Sequence, residues 1–169
     1  MRFILPLVIS VVMFQCGPTF ANSPEEDFDL GYDAFVDRDF SAAAQYWESA
    51  GFKGHVRAQN GLGVLYRDGD LGEPDPEAAQ IWFLKAARQG YAYAMFNLGM
   101  LQKSGSTKDS SDISAYMWLL LASTINFDEN ATFQADLLSK RMSRQELAEA
   151  QAKAQDWIDV FFFGMSSIN

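Results

Sequence analysis

An internal repeat of 36 residues is the feature that most constrains the fold of this chain. Small and aromatic residues recur in a fixed register over three units. The second and third units share Ala58 and Ala94, Leu62 and Leu98, Gly63 and Gly99, Gly69 and Gly105, Ala79 and Ala115, Trp82 and Trp118, and Ala86 and Ala122; the first unit joins through Ala43, Tyr46, Ala50 and Gly54. A period of this length is typical of stacked units that each bury one face against the next.

Each unit is predicted to contain two helices. Residues 56–67 form the first helix of the second unit, with an apolar side made of Ala58, Leu62 and Tyr66. Gly63 lies inside this helix and costs about 1 kcal/mol relative to alanine. We expect close approach of a neighbouring helix to offset that cost.

The second helix of the unit follows a loop of turn residues at 68–74. Asp75 fits the N-cap of this helix and Pro76 its first position. Gly90 suits a left-handed position just past its end.

The third unit repeats the pattern, with helices predicted at residues 93–103 and 112–124. The first unit is shorter. Gly31 and Ala43 are 12 residues apart, whereas the equivalent pairs in the later units are 16 apart. The first unit therefore lacks about one turn of connecting loop.

These residues resemble the Sel-one-like repeat family, a relative of the tetratricopeptide repeat. The matching positions of the second unit are Ala58, Leu62, Gly63, Tyr66, Gly69, Ala79, Trp82, Ala86, Ala87 and Gly90. The third unit departs from the pattern at Gln102, where tyrosine is expected, and at Ser123, where alanine is expected. The resemblance implies an all-α fold, a right-handed α-solenoid of antiparallel helix pairs, and covers most of residues 28–158.

The predicted organisation has five parts: a leader at residues 1–21, a degenerate tetratricopeptide-like first repeat at 22–54, Sel-one-like repeats at 55–90 and 91–126, and C-terminal capping helices at 127–169. Residues 130–141 are predicted to form a helix, and Ser143 with Glu146 a capping box that opens the last one. The run Phe161, Phe162 and Phe163 either packs back on the last repeat or forms an exposed partner site.

The first 21 residues resemble a secretory signal peptide of a bacterial protein. Arg2 precedes a short apolar run, and Thr19 and Ala21 are small residues at the positions that a signal peptidase reads, so cleavage is expected after Ala21. An uncleaved anchor is the alternative, although the run is short for a membrane span. Lipidation of Cys16 is disfavoured by the bulky residues before it.

The charge of the chain excludes some classes of partner. The net charge is −9, and removal of the leader with its single arginine makes it −10. An acidic chain repels nucleic-acid phosphates and anionic lipid surfaces. Without Cys16 the exported chain has no cysteine, so its stability is expected to depend on its apolar core.

No residue pattern indicates catalysis, a metal or a cofactor. His55 is the only histidine, and we interpret it as a solvent-facing residue at a helix start. Zinc needs three or four nitrogen, sulfur or carboxylate ligands at set spacing. Gly69 and Gly72 lack the lysine that follows in a phosphate-binding loop. The acidic loop at residues 68–75 lacks the EF-hand pattern for calcium and is interpreted as a solvated turn.

A partner-binding groove is predicted on the concave side of the solenoid, which the first helices of the pairs line. Its residues by register are Arg57, Asn60, Val64, Arg67, Tyr93, Phe96, Met100 and Lys103, with Phe28, Tyr32 and Phe35 from the first unit. Three basic groups with aromatic walls favour a carboxylate or an acidic peptide. The alternative is that the apolar members belong to the core and the arginines are merely solvated.

The sequence therefore predicts a non-enzymatic adaptor or regulator of the bacterial cell envelope. It is expected to be periplasmic or secreted and to bind a protein or peptide without a cofactor. An enzyme or binding protein acting on cell-wall material is one alternative. A permanent subunit of an envelope complex, attached through residues 161–163, is another.

Overall fold

The computed structural model describes residues 22–126 and 129–166. Within them the chain is all helical. The helices are α1 (Pro24–Val36), α2 (Phe40–Phe52), α3 (Val56–Asp68), α4 (Pro76–Ala87), α5 (Ala92–Ser104), α6 (Asp112–Asn126), α7 (Glu129–Ser139) and α8 (Arg144–Ser166). The predicted helix pairs are confirmed.

The helices stack as successive antiparallel pairs. α1 packs on α2, α3 on α4 and α5 on α6, and the second helix of each pair packs on the first helix of the next unit. Three apolar clusters fill the stack, one around Trp47 and Leu62, one around Phe83 and Leu98, and one around Leu119 and Leu138. The result is an α-solenoid whose core runs along the stack.

Within each pair, a glycine of the first helix lies against a large side chain of the second. A Cβ atom on Gly63 would lie 2.4 Å from the Phe83 ring, and one on Gly99 would lie 2.6 Å from Leu119. Gly31 faces Trp47 in the same way, at 2.3 Å. The prediction that Gly63 permits close helix approach is therefore confirmed, and it holds in all three pairs.

Local sequence signals set where several helices begin. Asp75 accepts a hydrogen bond from the backbone N–H of Ala78, and Pro76 opens α4, as predicted. Ser143 and Glu146 form the predicted capping box of α8, with distances of 2.7 and 3.2 Å. Gly90 has φ of 83°, in the left-handed region where glycine is favoured.

α8 packs along α6 and closes the end of the stack. Its Trp157 contacts Trp118 edge-on, at 6.4 Å between ring centroids. One turn later, Phe161 stacks on Trp157 at 4.8 Å and lies directly over Gly90. Across the ranges described, no helix combines the length and the apolar character that a membrane span requires.

Candidate functional site: the face of the first helices

Residues predicted to line the groove share one face of α3 and α5. We call this surface the A-helix face and include Tyr32 of α1 in it. It carries Tyr32, Arg57, Asn60, Val64, Arg67, Tyr93, Phe96, Met100 and Lys103. Its upper end lies where α3 and α5 begin, and its lower end where they finish.

Exposed aromatic and basic side chains form the upper end. Tyr93 is 55% exposed and the Arg57 side chain is 54% exposed. Tyr32, which is 52% exposed, follows Gly31 as Val64 follows Gly63, so it lies farther along the face than these two. The Arg57 guanidinium lies over the Phe28 ring, 4.1 Å from its centroid. The carboxylate of Glu25 lies 3.8 Å from Arg57, a long distance between two exposed groups. Pairs of this kind contribute little net attraction.

Tyr91 lies next to this upper end, and its ring is 5.5 Å from that of Tyr93. Burial raises the pKa of Tyr91, and the positive charge of Arg57 opposes that shift. The phenol therefore stays neutral at physiological pH and offers an O–H group beside the Arg57 cation.

Two asparagine side chains and an arginine connect α3 to α5 at the middle of the face. Asn97 donates through Nδ2 to Oδ1 of Asn60 at 2.9 Å and accepts from Arg67 Nη1 at 3.1 Å. Asn60 donates no side-chain hydrogen bond within the described ranges. The amide group of Asn60 therefore retains its N–H donors.

Arg67 is largely neutralised by its neighbour in sequence. Its Nε and Nη2 atoms donate to the two carboxylate oxygens of Asp68, at 2.7 and 3.0 Å. Lys103 donates to Oε1 of Gln134 on α7 at 2.5 Å. Of the three basic groups predicted to gather on this face, only Arg57 remains without a close polar partner in the described structure.

A cavity of about 480 Å³ forms the lower end of the face, between the end of α3 and the second half of α5. Phe96 and Met100 form part of its wall from α5, and Pro74 and Pro76 contribute from the loop and the start of α4. Arg67 and Asp68 lie at its polar edge. The wall is therefore mainly apolar, which suits a large apolar side chain.

The apolar residues of the face were predicted either to line the groove or to belong to the core, and each interpretation holds in part. Val64, Phe96 and Met100 are partly buried and pack against the core, while Phe96 and Met100 also line the cavity. Phe28 is different, because it is 5% exposed and belongs to the core. Its ring supports Arg57 rather than forming a wall. Phe35 is partly buried against Trp47.

The prediction that His55 faces solvent is wrong. His55 is the N-cap of α3, and its Nδ1 accepts a hydrogen bond from the backbone N–H of Ala58. Its side chain is 11% exposed, because it stacks on Phe28 at 4.6 Å and Nε2 contacts Glu25 at 2.9 Å. His55 thus orders the start of α3, directly before Arg57.

Two other predicted features have structural outcomes. Phe161 packs back on the stack, whereas Phe162 is 52% exposed; the side chain of Phe163 lies outside the described residues. The leader with Cys16 also lies outside them.

In the acidic loop, the Asp68 carboxylate is engaged by Arg67. No cluster of three or more histidine, cysteine or acidic side chains suited to a metal is present in the described ranges.

Sequence reasoning missed Asn97, Asp68 and Gln134 as partners on this face. Asn97 is in register with Gly61, so the repeat pattern alone does not pair it with Asn60. The signal that would have found it is helical spacing, since Asn97 follows Tyr93 by four residues and shares its side of α5.

The fold defines a helical-repeat protein whose first helices present an exposed face. A model of the Sel1 repeat matches residues 28–55, 56–91 and 92–126, which together exceed half of the chain. The chain belongs to the Sel1 repeat family. Proteins with these repeats generally act as protein–protein interaction modules and are typically not enzymes.

Among solved structures, the chain is similar to c5321, described as a protective antigen present in uropathogenic Escherichia coli strains and displaying an SLR fold. The sequences are 24% identical, the TM-score is 0.78, and the match covers 88% of this chain. It covers 33% of c5321, so this chain spans about a third of that protein. Comparison with curated protein sequences gives no match.

Proposed function

We propose that this protein is an adaptor or regulator of the bacterial cell envelope, and that it binds a protein or peptide partner on the A-helix face. The observation that carries the proposal is that Tyr32, Arg57 and Tyr93 are exposed on three successive first helices. Tyrosine and arginine are the residue types that most often dominate binding energy at interfaces.

The amide groups at the middle of the face support the same proposal. Asn60 and Asn97 already bond to each other, so their side chains are held in place before a partner arrives. Pre-ordered side chains reduce the entropy cost of binding. Their remaining donors suit the carbonyl groups of an extended polypeptide.

An enzymatic function on cell-wall material has no comparable support. Such a site needs a carboxyl group whose pKa is raised by burial or by a neighbouring carboxylate. In the described part of the chain, the carboxyl groups with shifted pKa values are Glu26, Asp27, Asp109 and Glu146, and hydrogen bonds lower the pKa of each.

Site-specific photocrosslinking in cells tests the proposal. A photoreactive phenylalanine analogue replaces Tyr93 on the A-helix face or, as the matched control, Ile81 on α4, which is 56% exposed. We expect a discrete crosslinked protein from position 93 and none from position 81. Equal products from both positions, or products from 81 alone, contradict the proposed surface.

The envelope location is proposed from the leader at residues 1–21. The full chain, produced in a bacterium, is expected to enter the periplasmic fraction with Asn22 as its new N-terminus. Intact-protein mass measurement decides this, and a chain of full mass in the membrane fraction favours a retained anchor. A permanent subunit would elute from size exclusion with its partners rather than as a monomer.

A further inference from the structure

We infer that the partner presents a two-part peptide motif: one carboxylate that binds Arg57, and one large apolar side chain about five residues away that enters the cavity of Phe96 and Met100. This inference rests on the proposed function and specifies the ligand of the same face. A motif with a fixed spacing differs from non-specific binding to an apolar or basic surface, which does not depend on spacing.

The carboxylate is assigned to Arg57 because the other two basic groups of the face are already engaged. Asp68 takes two donor atoms of Arg67, and Gln134 accepts from Lys103. The Arg57 guanidinium instead rests on the Phe28 ring and is half exposed, with Glu25 at the long distance of 3.8 Å. Its planar edge is therefore available for a bidentate contact with a carboxylate.

A single carboxylate fits better than an acidic run. The whole chain carries a net charge of −9, so a polyacidic segment is repelled from a distance. Glu25 beside Arg57 strengthens that repulsion locally. A single carboxylate near Arg57 gains charge-assisted hydrogen bonds and meets this repulsion once, whereas each further acidic residue adds to it.

The apolar side chain is assigned to the cavity at the lower end. Phe96, Met100, Pro74 and Pro76 supply apolar walls, and its volume of about 480 Å³ lies in the range of ligand sites. The charge of Arg67 at its edge is balanced by Asp68. A neutral, apolar group therefore enters without leaving a buried charge unpaired.

The spacing follows from the geometry of α3. Ten residues separate Arg57 from Arg67, which is about 15 Å along a helix. The Arg57 side chain leans towards α1, whereas the cavity lies between α3 and α5. The two points are therefore also separated by about 9 Å across the helices, which is one interhelical distance. The diagonal is about 17 to 18 Å, which an extended chain covers in about five residues. The path crosses the amide groups of Asn60 and Asn97.

Fluorescence polarisation with synthetic peptides tests the motif on the exported chain. The probe is a labelled six-residue peptide with glutamate and phenylalanine at its ends and serine and threonine between them, in both orders. We expect at least one order to bind about tenfold more tightly than its glutamine counterpart and its alanine counterpart. We also expect a peptide with only two residues between the groups to lose that preference.

Protein variants assign each half of the motif. Arg57→Gln is expected to abolish the preference for glutamate over glutamine. Arg88→Gln makes the same charge change at the exposed C-cap of α4 and is expected to leave it intact. Ser104→Trp partly fills the cavity and is expected to abolish the preference for phenylalanine over alanine. Circular dichroism and thermal melting establish that each variant is folded.

Binding that is independent of spacing, or unaffected by Arg57→Gln, overturns the motif, as does a failure of every peptide to bind better than one lacking both groups. These outcomes leave the proposed function standing if position 93 still crosslinks to a partner. Loss of crosslinking at 93 removes the proposed function itself.

Discussion

Asp27 shows how a buried charge is accommodated at the scale of a single residue. It is 4% exposed on α1, yet it accepts hydrogen bonds from Lys53 Nζ at 2.7 Å and from Ser49 Oγ at 2.6 Å. These bonds hold the pKa of Asp27 below its usual value, and the bond from Lys53 has the larger effect. They join the start of α1 to the end of α2.

The lowered pKa predicts a pH-dependent contribution to stability. A carboxyl group whose folded pKa lies below its unfolded pKa stabilises the fold above the unfolded pKa, about 3.9, and loses that contribution as the pH falls through the folded pKa. Asp27→Asn is expected to lower the free energy of unfolding at pH 7 by about 1.5 to 3 kcal/mol. The difference from the wild type should shrink below about pH 4.

Urea unfolding across the pH range measures this difference. Asp29→Asn, an exposed position on the same helix, is the control and should change the stability little at any pH. A difference between wild type and Asp27→Asn that stays constant from pH 7 to about pH 3 contradicts the assignment.

At the scale of elements, α8 is anchored near its end by one aromatic ring. Phe161 stacks on Trp157 and covers Gly90, in the turn between α4 and α5. Phe162, the next residue, is half exposed. The contact ties the capping helix to the boundary between the second and third units as well as to α6.

Phe161→Ala is expected to release the last turns of α8. Amide hydrogen exchange, followed by mass spectrometry, should accelerate in peptides covering residues 158–166 and stay unchanged in those covering 144–154, whose Ala150 and Ala154 remain buried. Val160→Ala, at a position of the same helix that is 74% exposed, serves as the control. Equal acceleration by both substitutions would show that the Phe161 contact does not hold the helix.

Local signals made the elements predictable, because they act within a few residues. Two helix starts are fixed by hydrogen bonds between residues three apart in sequence, one from Ala78 to Asp75 and the other from Glu146 to Ser143. Contacts between units are different. The burial of His55 depends on Phe28 and Glu25, 27 and 30 residues earlier, and no short-range pattern encodes it.

At the scale of the whole molecule, most contacts join successive units, and Phe161 adds one from the capping helix back to Gly90. Trp47 fills the space between Gly31 and Gly61 and belongs to the apolar cluster of α1 to α3. Leu119 of α6 occupies the equivalent position against Gly99 of α5, in another cluster. Stability in such a stack is approximately a sum of terms for units and for the interfaces between them.

Trp47→Ala is therefore expected to weaken one end of the stack selectively. The substitution should cost about 3 to 5 kcal/mol locally. Native-state hydrogen exchange should show loss of protection in α1 to α3, with α5 and α6 still protected. Leu119→Ala is the mirror-image control and should affect the other end. A uniform loss of protection along the chain would indicate a single cooperative unit instead.

The candidate site was predictable in its location and less so in its charge. Register places Arg57, Arg67 and Tyr93 on one face because equivalent helices present equivalent sides. It does not reveal that Asp68 neutralises Arg67 or that Gln134 accepts from Lys103, since these partners lie outside the repeated positions. The predicted basic cluster is thus reduced to one available guanidinium.

Because of the contact between a glycine and a ring, the spacing of the paired helices does not depend on the length of the loop between them. Trp47 follows Gly31 by 16 positions and Phe83 follows Gly63 by 20, yet both pairs meet at the same point of their helices. A different loop length at residues 69–75 or 105–111 is therefore compatible with the same helix spacing, although Pro74 and Ser106 of these loops line the cavity. The paired helices thus keep one spacing from unit to unit, while the loops set the shape of the cavity at the lower end of the A-helix face.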